Sequence, residues 1–157
     1  DIPLTEMSDR LNKLIYKSSP SDKYITFFIA VLDSSTGELD IVNAGHNPIL
    51  VLRKDGTLEK LVAGGVGLGM FDFGIPFAGQ KSVMNSGDRL FLYTDGIPEA
   101  MNEKEEEYSD EKMIKYFIEH SDQSSDVFIK SMVNDVKNFV GITPQSDDIT
   151  ALILKRN

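Results

Sequence analysis

The segment Arg89-Leu90-Phe91-Leu92-Tyr93-Thr94-Asp95-Gly96 constrains the fold more than any other stretch, because an apolar run stops abruptly at a carboxylate followed by glycine. Leu90, Phe91, Leu92 and Tyr93 read by length and aromatic content as a mostly buried strand, and Gly87-Asp88 ahead of them supplies the turn that starts it. Asp95 is therefore expected where a sheet ends and solvent begins. A second acidic pair, Asp147-Asp148 in Gln145-Ser146-Asp147-Asp148-Ile149-Thr150, stands just before another strand-like run, Ile149 to Leu154. Two strands can thus present carboxylates to one place. Asp-Gly is also a common turn dipeptide, so the competing reading is a chain reversal with no chemistry.

Taken in order, the chain opens with Pro3, which suits the first turn of a helix, and Leu4, Met7, Leu11, Leu14 and Ile15 recur at helical spacing. Ser18 to Asp22, with Pro20, breaks that helix, and Tyr24 to Asp33 follows as a strand rich in β-branched and aromatic residues. Ser34-Ser35-Thr36-Gly37 reads as a hairpin loop. Leu39, Ile41 and Val42 form the returning strand, which ends in Asn43-Ala44-Gly45-His46-Asn47-Pro48; Ile49 to Arg53 then leads into the Asp55-Gly56 turn. The first half is expected to be an antiparallel meander. Phe77 to Met84 reads as a further strand. In the second half Met113, Ile114, Phe117 and Ile118 mark one amphipathic helix, and Ser124-Ser125-Asp126 caps another whose Ile129, Val133, Val136 and Val140 keep helical spacing up to Gly141. Meander, helical pair and last strand together imply an α+β layered domain. With 157 residues and no repeat or linker, residues 1–157 are expected to be a single domain.

Composition excludes several functions. The net charge of −9 argues against a nucleic-acid backbone or an anionic membrane as partner, since both select clustered Lys and Arg. The longest apolar run, Phe27 to Leu32, is far short of the about 20 residues that span a bilayer, and no secretory signal is visible. There is no cysteine, so thiolate metal sites are excluded and a reducing compartment fits. A phosphorylated substrate would then need a local positive centre, which a bound metal can supply.

Other candidate sites are weaker. Gly64-Gly65-Val66-Gly67-Leu68-Gly69 lacks the spacing of a dinucleotide or phosphate loop, and the segment from Phe71 to Pro76 does not read as a helix that could hold a phosphate; a loop between strands is expected. Glu103, Glu105, Glu106 and Glu107 repel one another and read as a solvated surface. His46 has two readings, a general acid toward a leaving seryl oxygen or a residue that fixes its turn through backbone bonds. His120 is expected to complement a helix C-terminus, and Arg89 has two readings, a residue that reaches a phosphate or, the one favoured, an exposed charge at a strand start.

Acids at strand ends suit hard cations, because Mg²⁺ and Mn²⁺ select carboxylate oxygens and water and relieve the mutual repulsion of the acids. Two such ions about 3.5–4 Å apart can bridge a water, lower its pKa and clamp phosphoryl oxygens for in-line attack.

Tyr93-Thr94-Asp95-Gly96-Ile97-Pro98-Glu99-Ala100, Asn43-Ala44-Gly45-His46-Asn47-Pro48, Leu68-Gly69 and Asp147-Asp148-Ile149-Thr150 occur in one chain. Together they resemble the sporulation and sigma-factor-regulation (SpoIIE-like) branch of the bacterial PPM-type metal-dependent serine/threonine protein phosphatases. The resemblance runs from the first helix to the C-terminus. It implies two antiparallel sheets packed as a β-sandwich flanked by helices, and a binuclear Mn²⁺ or Mg²⁺ site. Asp95 and Asp147 match metal-ligating positions of the family, and Gly96 belongs to the same motif. Asp148 falls where the wider family often has Asn, so it is either a further ligand or a residue that orients Asp147 by hydrogen bonding. The implied activity is hydrolysis of phosphoserine or phosphothreonine in a protein by metal-activated water. The implied substrate is a phosphorylated anti-sigma-factor antagonist, and the implied setting a cytoplasmic bacterial signalling protein with an upstream sensor domain.

The family's first metal motif, Asp-x-x-Gly-His-Gly, is absent from these residues and expected upstream of Asp1. Lacking that N-terminal portion, the chain is expected to bind Mn²⁺ weakly and to self-associate through an exposed sheet edge as a homo-oligomer. The alternative from another class is a catalytically silent regulatory or protein-binding module of the same fold.

Overall fold

The structure, a computed structural model, describes residues 2–62, 64–72 and 74–157. Its elements follow in the order α1 (Leu4–Ser18), β1 (Phe27–Leu32), β2 (Glu38–Ala44), β3 (Ile49–Leu52), β4 (Leu58–Leu61), β5 (Gly64–Gly65), β6 (Gly79–Val83), β7 (Arg89–Tyr93), α2 (Asp110–Glu119), α3 (Ser125–Val140) and β8 (Ala151–Lys155). They fall into two compact units, Asp1–Pro48 with Leu61–Asn85, and Ile49–Lys60 with Ser86–Asn157. Phe73, inside the segment expected to be non-helical, lies outside the described residues.

In the first unit β2 is the central strand. It pairs antiparallel with β1 from Phe27↔Ala44 to Leu32↔Leu39, and antiparallel with β6 from Glu38↔Val83 to Val42↔Gly79. Its last residues also pair in parallel with β5, Asn43↔Gly64 and Ala44↔Gly65. The glycine segment expected to be only a loop is thus partly a strand, because residues without side chains can lie this close to another backbone. Gly45 shows the same constraint: at φ +75°, an added Cβ would stand 2.8 Å from the Gly67 nitrogen.

Helix α1 packs Leu4, Leu11 and Ile15 onto Val42, Ala44, Leu68 and Phe77. The expected apolar stripe is rotated, since Leu14 is exposed whereas Ser8 and Asn12 are buried. Both buried polar residues are satisfied. Ser8 Oγ donates to the Leu4 carbonyl at 2.9 Å, and Asn12 donates to the Phe71 carbonyl at 2.8 Å while accepting from the Gly69 N–H at 2.7 Å. A buried amide with both its nitrogen and its oxygen bonded costs little to bury, so Asn12 can pin the loop 69–71 to the helix.

The second unit holds an antiparallel sheet in the order β4-β3-β7-β8. The expected meander is therefore split. The chain leaves one sheet at Ala44 and enters another at Ile49, the turn Gly45–Pro48 carrying it across. Phe91 of β7 is fully buried, with the rings of Phe117 and Phe128 5.2 and 5.4 Å from its own. Helix α3 buries Phe128, Met132, Val136 and Val140, one residue every turn, so its buried face is offset from the expected Ile129 and Val133. Larger side chains won the core because each buries more apolar area. Ser124 caps this helix by accepting from the Val127 N–H, and Gly141 ends it at φ 68°.

Candidate active site at the end of the seventh strand

β7 and β8 pair from Arg89↔Lys155 to Tyr93↔Ala151, so the residues after Tyr93 and those before Ala151 must emerge side by side. Thr94 closes the ladder. Its N–H donates to the Thr150 carbonyl, its Oγ1 donates to the Asp148 carbonyl, and the Thr150 N–H donates back to that Oγ1, each at 3.0 Å. Gly96 makes the approach closest. An added Cβ there would lie 2.4 Å from the Asp148 carbonyl oxygen and 3.3 Å from that of Asp147, and Gln145 Nε2 reaches the Gly96 carbonyl at 3.3 Å. Glycine is required for space here, since Gly96 is not among the positive-φ glycines. The Asp-Gly dipeptide thus does more than reverse the chain.

Asp95, Asp147 and Asp148 are all exposed at this end of the sheet. Their positions are set through the backbone: the Asp95 carbonyl accepts from the Glu99 N–H at 2.9 Å, and the Asp148 N–H donates to Asp147 Oδ1 at 2.7 Å. The roles of Thr94 and Gln145 were not assigned from sequence. Thr94 stands inside the quoted motif, but nothing in its identity says that its hydroxyl will both donate and accept across strands.

A hard divalent cation suits this donor set in kind, since it consists of carboxylate oxygens open to water. Among the described residues, no three or more His, Asp or Glu side chains converge as a metal-holding group. Asp95, Asp147 and Asp148 are thus donors of the kind a hydrated ion takes, but they do not form a complete binuclear cage.

Of the other expected residues, His46 belongs to the first unit, in the turn after β2, where its N–H donates to Asn43 Oδ1 at 2.8 Å and its Nδ1 lies 3.1 Å from the Asn47 carbonyl. Asn43 organises the turn. It is 3% exposed and its amide also donates to the His46 and Asn47 carbonyls at 3.0 and 3.3 Å. His120 is the C-cap of α2, stacked on Tyr116 at 3.9 Å. The acidic run is exposed, and Asn102 Oδ1 accepts from the Lys104 and Glu106 N–H groups to shape it. Arg89 differs from expectation: it is 2% exposed, buried against Phe117 and Phe128. Charge suggested the surface, but the rings that shelter it come much later in the chain.

The chain matches the family described as Stage II sporulation protein E (SpoIIE) over residues 1–157. It belongs to that family, the SpoIIE-like branch of the PPM-type phosphatases. Phosphoserine phosphatase RsbP of Bacillus subtilis is 31% identical over 94 residues, which is 60% of this chain and 23% of RsbP. The structure of the RsbU and RsbW domains of Rv1364c from Mycobacterium tuberculosis superposes with a TM-score of 0.75 at 25% identity, covering 99% of this chain and 42% of that one. The PP2C phosphatase domain of SpoIIE from Bacillus subtilis, solved with a fragment of its regulatory domain, gives 0.77 at 18% identity, covering 98% and 44%. That phosphatase domain has also been solved after a manganese presoak. The PPM-like α+β fold expected from the motifs is thereby shown. The chain spans less than a quarter of the curated relatives it matches.

Proposed function

We propose that this chain forms part of a metal-dependent phosphoserine/phosphothreonine protein phosphatase of bacterial signalling, with Asp95 and Asp147 as metal ligands and Asp148 supporting them. The observation that carries the reading is the close packing of Gly96 on the Asp147-Asp148 backbone, which delivers both acids to one exposed strand end. Mn²⁺ or Mg²⁺, when bound, would supply positive charge for the phosphoryl oxygens and an activated water. The protein's own residues do the positioning: Thr94 locks the two strand ends together, and the Asp148 N–H fixes the rotation of the Asp147 carboxylate. Kinship with a phosphoserine phosphatase supports a phosphoserine substrate, and the family resemblance implies an anti-sigma-factor antagonist as that substrate and a cytoplasmic setting.

In the full-length protein, Asp95→Asn or Asp147→Asn is expected to abolish Mn²⁺-dependent hydrolysis of a phosphoserine protein while leaving far-UV circular dichroism unchanged. Undiminished turnover in both variants would remove the assignment.

A second reading, a catalytically silent protein-binding module, is favoured by one observation, the lack of a third converging ligand among the described residues. It predicts that the full-length protein shows no turnover and no Mn²⁺ binding by calorimetry.

A further inference from the structure

At the opposite end of β7 from Asp95, about 20 Å away by strand rise, the second unit has a recess of about 260 Å³ whose lining includes Arg53, Lys54, Arg89 and Lys155 and no carboxylate. So dense a positive lining is unusual in a chain of net charge −9. Its buried member is Arg89, whose Nη1 donates to the His120 carbonyl at 3.0 Å while Nε and Nη2, both buried, have no hydrogen-bond partner. A guanidinium carries five donors in a planar fork suited to oxyanions, and buried donors left unpaired are costly. The aromatic faces of Phe128 and Phe117, 5.0 and 5.9 Å from Cζ, hold the charge without offering an acceptor.

Arg53 is shared by Asp88, at 2.8 Å, and Glu59, which cancels its charge and leaves Lys54, Arg89 and Lys155 as the positive lining. Asp122 acts on Arg89 only through space, and burial, the larger influence, holds the Arg89 pKa below its ordinary value. Lys54 is positioned by the turn opposite: its side-chain stem lies where a Cβ of Gly87 would be, 2.9 Å away, and its N–H donates to Asp88 Oδ1 at 3.0 Å. Lys155 pairs with Arg89 across the β7–β8 ladder.

From the two orphaned donors of Arg89, which lines one recess with Lys54 and Lys155, we infer that this recess binds a phosphate-sized oxyanion, as the free ion or as the head of a small phosphomonoester. Its volume lies below the roughly 300–1,000 Å³ of pockets that enclose larger ligands. The site is separate from the Asp95 end and needs no divalent metal.

The test titrates inorganic phosphate, and separately glycerol phosphate, into the chain in the presence of a chelator, so that the carboxylate end cannot contribute through metal. Calorimetry and the Arg89 Nε–H resonance are followed at constant ionic strength. The expected result is saturable binding with a Kd of about 1 mM or tighter and a shift of that resonance. Lys54→Gln with Lys155→Gln should weaken binding by about fivefold or more, and Arg89→Met should abolish it. Comparable affinity for glycerol phosphate assigns the site to phosphomonoesters, and binding of inorganic phosphate alone assigns it to the free ion. A folded chain whose Arg89 signal does not respond, responds equally to chloride, or responds unchanged in the double lysine variant overturns the inference. Because the lysines are on the surface side of the recess, that last arm decides even if Arg89→Met fails to fold.

Discussion

The two ends of β7 treat charge in opposite ways. At the start of the strand Asp88 and Arg89 are each 2% exposed, and Asp88 binds both the Arg53 guanidinium and the Lys54 backbone N–H. Beyond its far end Asp95 stands in solvent beside Asp147 and Asp148, placed by a threonine hydroxyl and a glycine contact that touch only backbone. Asp88, a charge that holds the fold together, is taken out of water with its partner Arg53. The acids beyond the far end of β7 are left in water, where Asp147 Oδ1 accepts from the Asp148 N–H.

The comparison breaks first at Asp88. Asp88→Ala removes one acceptor of the partly buried Arg53 guanidinium and the acceptor of the Lys54 N–H. Loss of one partner of such a pair is expected to cost about 3 kcal/mol. Urea denaturation monitors it, and a loss below about 1 kcal/mol would mean that this end is no more structural than the other.

Gly96→Ala comes next. The added methyl would meet the Asp148 carbonyl at 2.4 Å, a backbone atom that cannot step aside without opening the Thr94–Thr150 lock. An overpacking cost of about 2 kcal/mol is expected, together with faster hydrogen exchange at the Thr94 and Thr150 amides. Unchanged exchange at both amides would show that the strand ends are not held together by this contact.

What the sequence disclosed, and what it hid, follows the same division. The anchor strand was legible because Leu90 to Tyr93 form an uninterrupted apolar run, and the helices because their periodicity and Ser124 and Gly141 mark them. The exposed acids were legible because their motifs are local in sequence. The buried end was not. Nothing near Arg89 announces that Phe117, Phe128 and the His120 carbonyl will enclose it, and nothing near Asn12 announces that Gly69 and Phe71 will bind it. The parallel pairing of Gly64-Gly65 with β2 was missed for a related reason, since strand signals rest on side chains and glycine has none.

Tyr93 decides where along β7 the buried regime gives way. It is 4% exposed and its hydroxyl donates to Asp110 Oδ1 at 3.3 Å, while Tyr108, 2% exposed, donates to Asp135 Oδ2 at 2.5 Å. Burial first, then the neighbouring carboxylate, pushes both phenols above their ordinary value of 10.0. A raised pKa means that the folded state keeps a proton the unfolded chain gives up. The stabilisation is therefore complete below pH 10 and is lost as pH rises beyond it, by at most about 1.4 kcal/mol per pH unit for each tyrosine. At neutral pH, Tyr93→Phe and Tyr108→Phe should each cost only about 1 kcal/mol, the net worth of one hydrogen bond. Between pH 10 and 12 the double variant should lose stability with pH less steeply than the parent chain. Parallel slopes in denaturant titrations across that range would place Tyr93 with the solvated end of the strand, next to Asp95, and move the boundary inward by two residues.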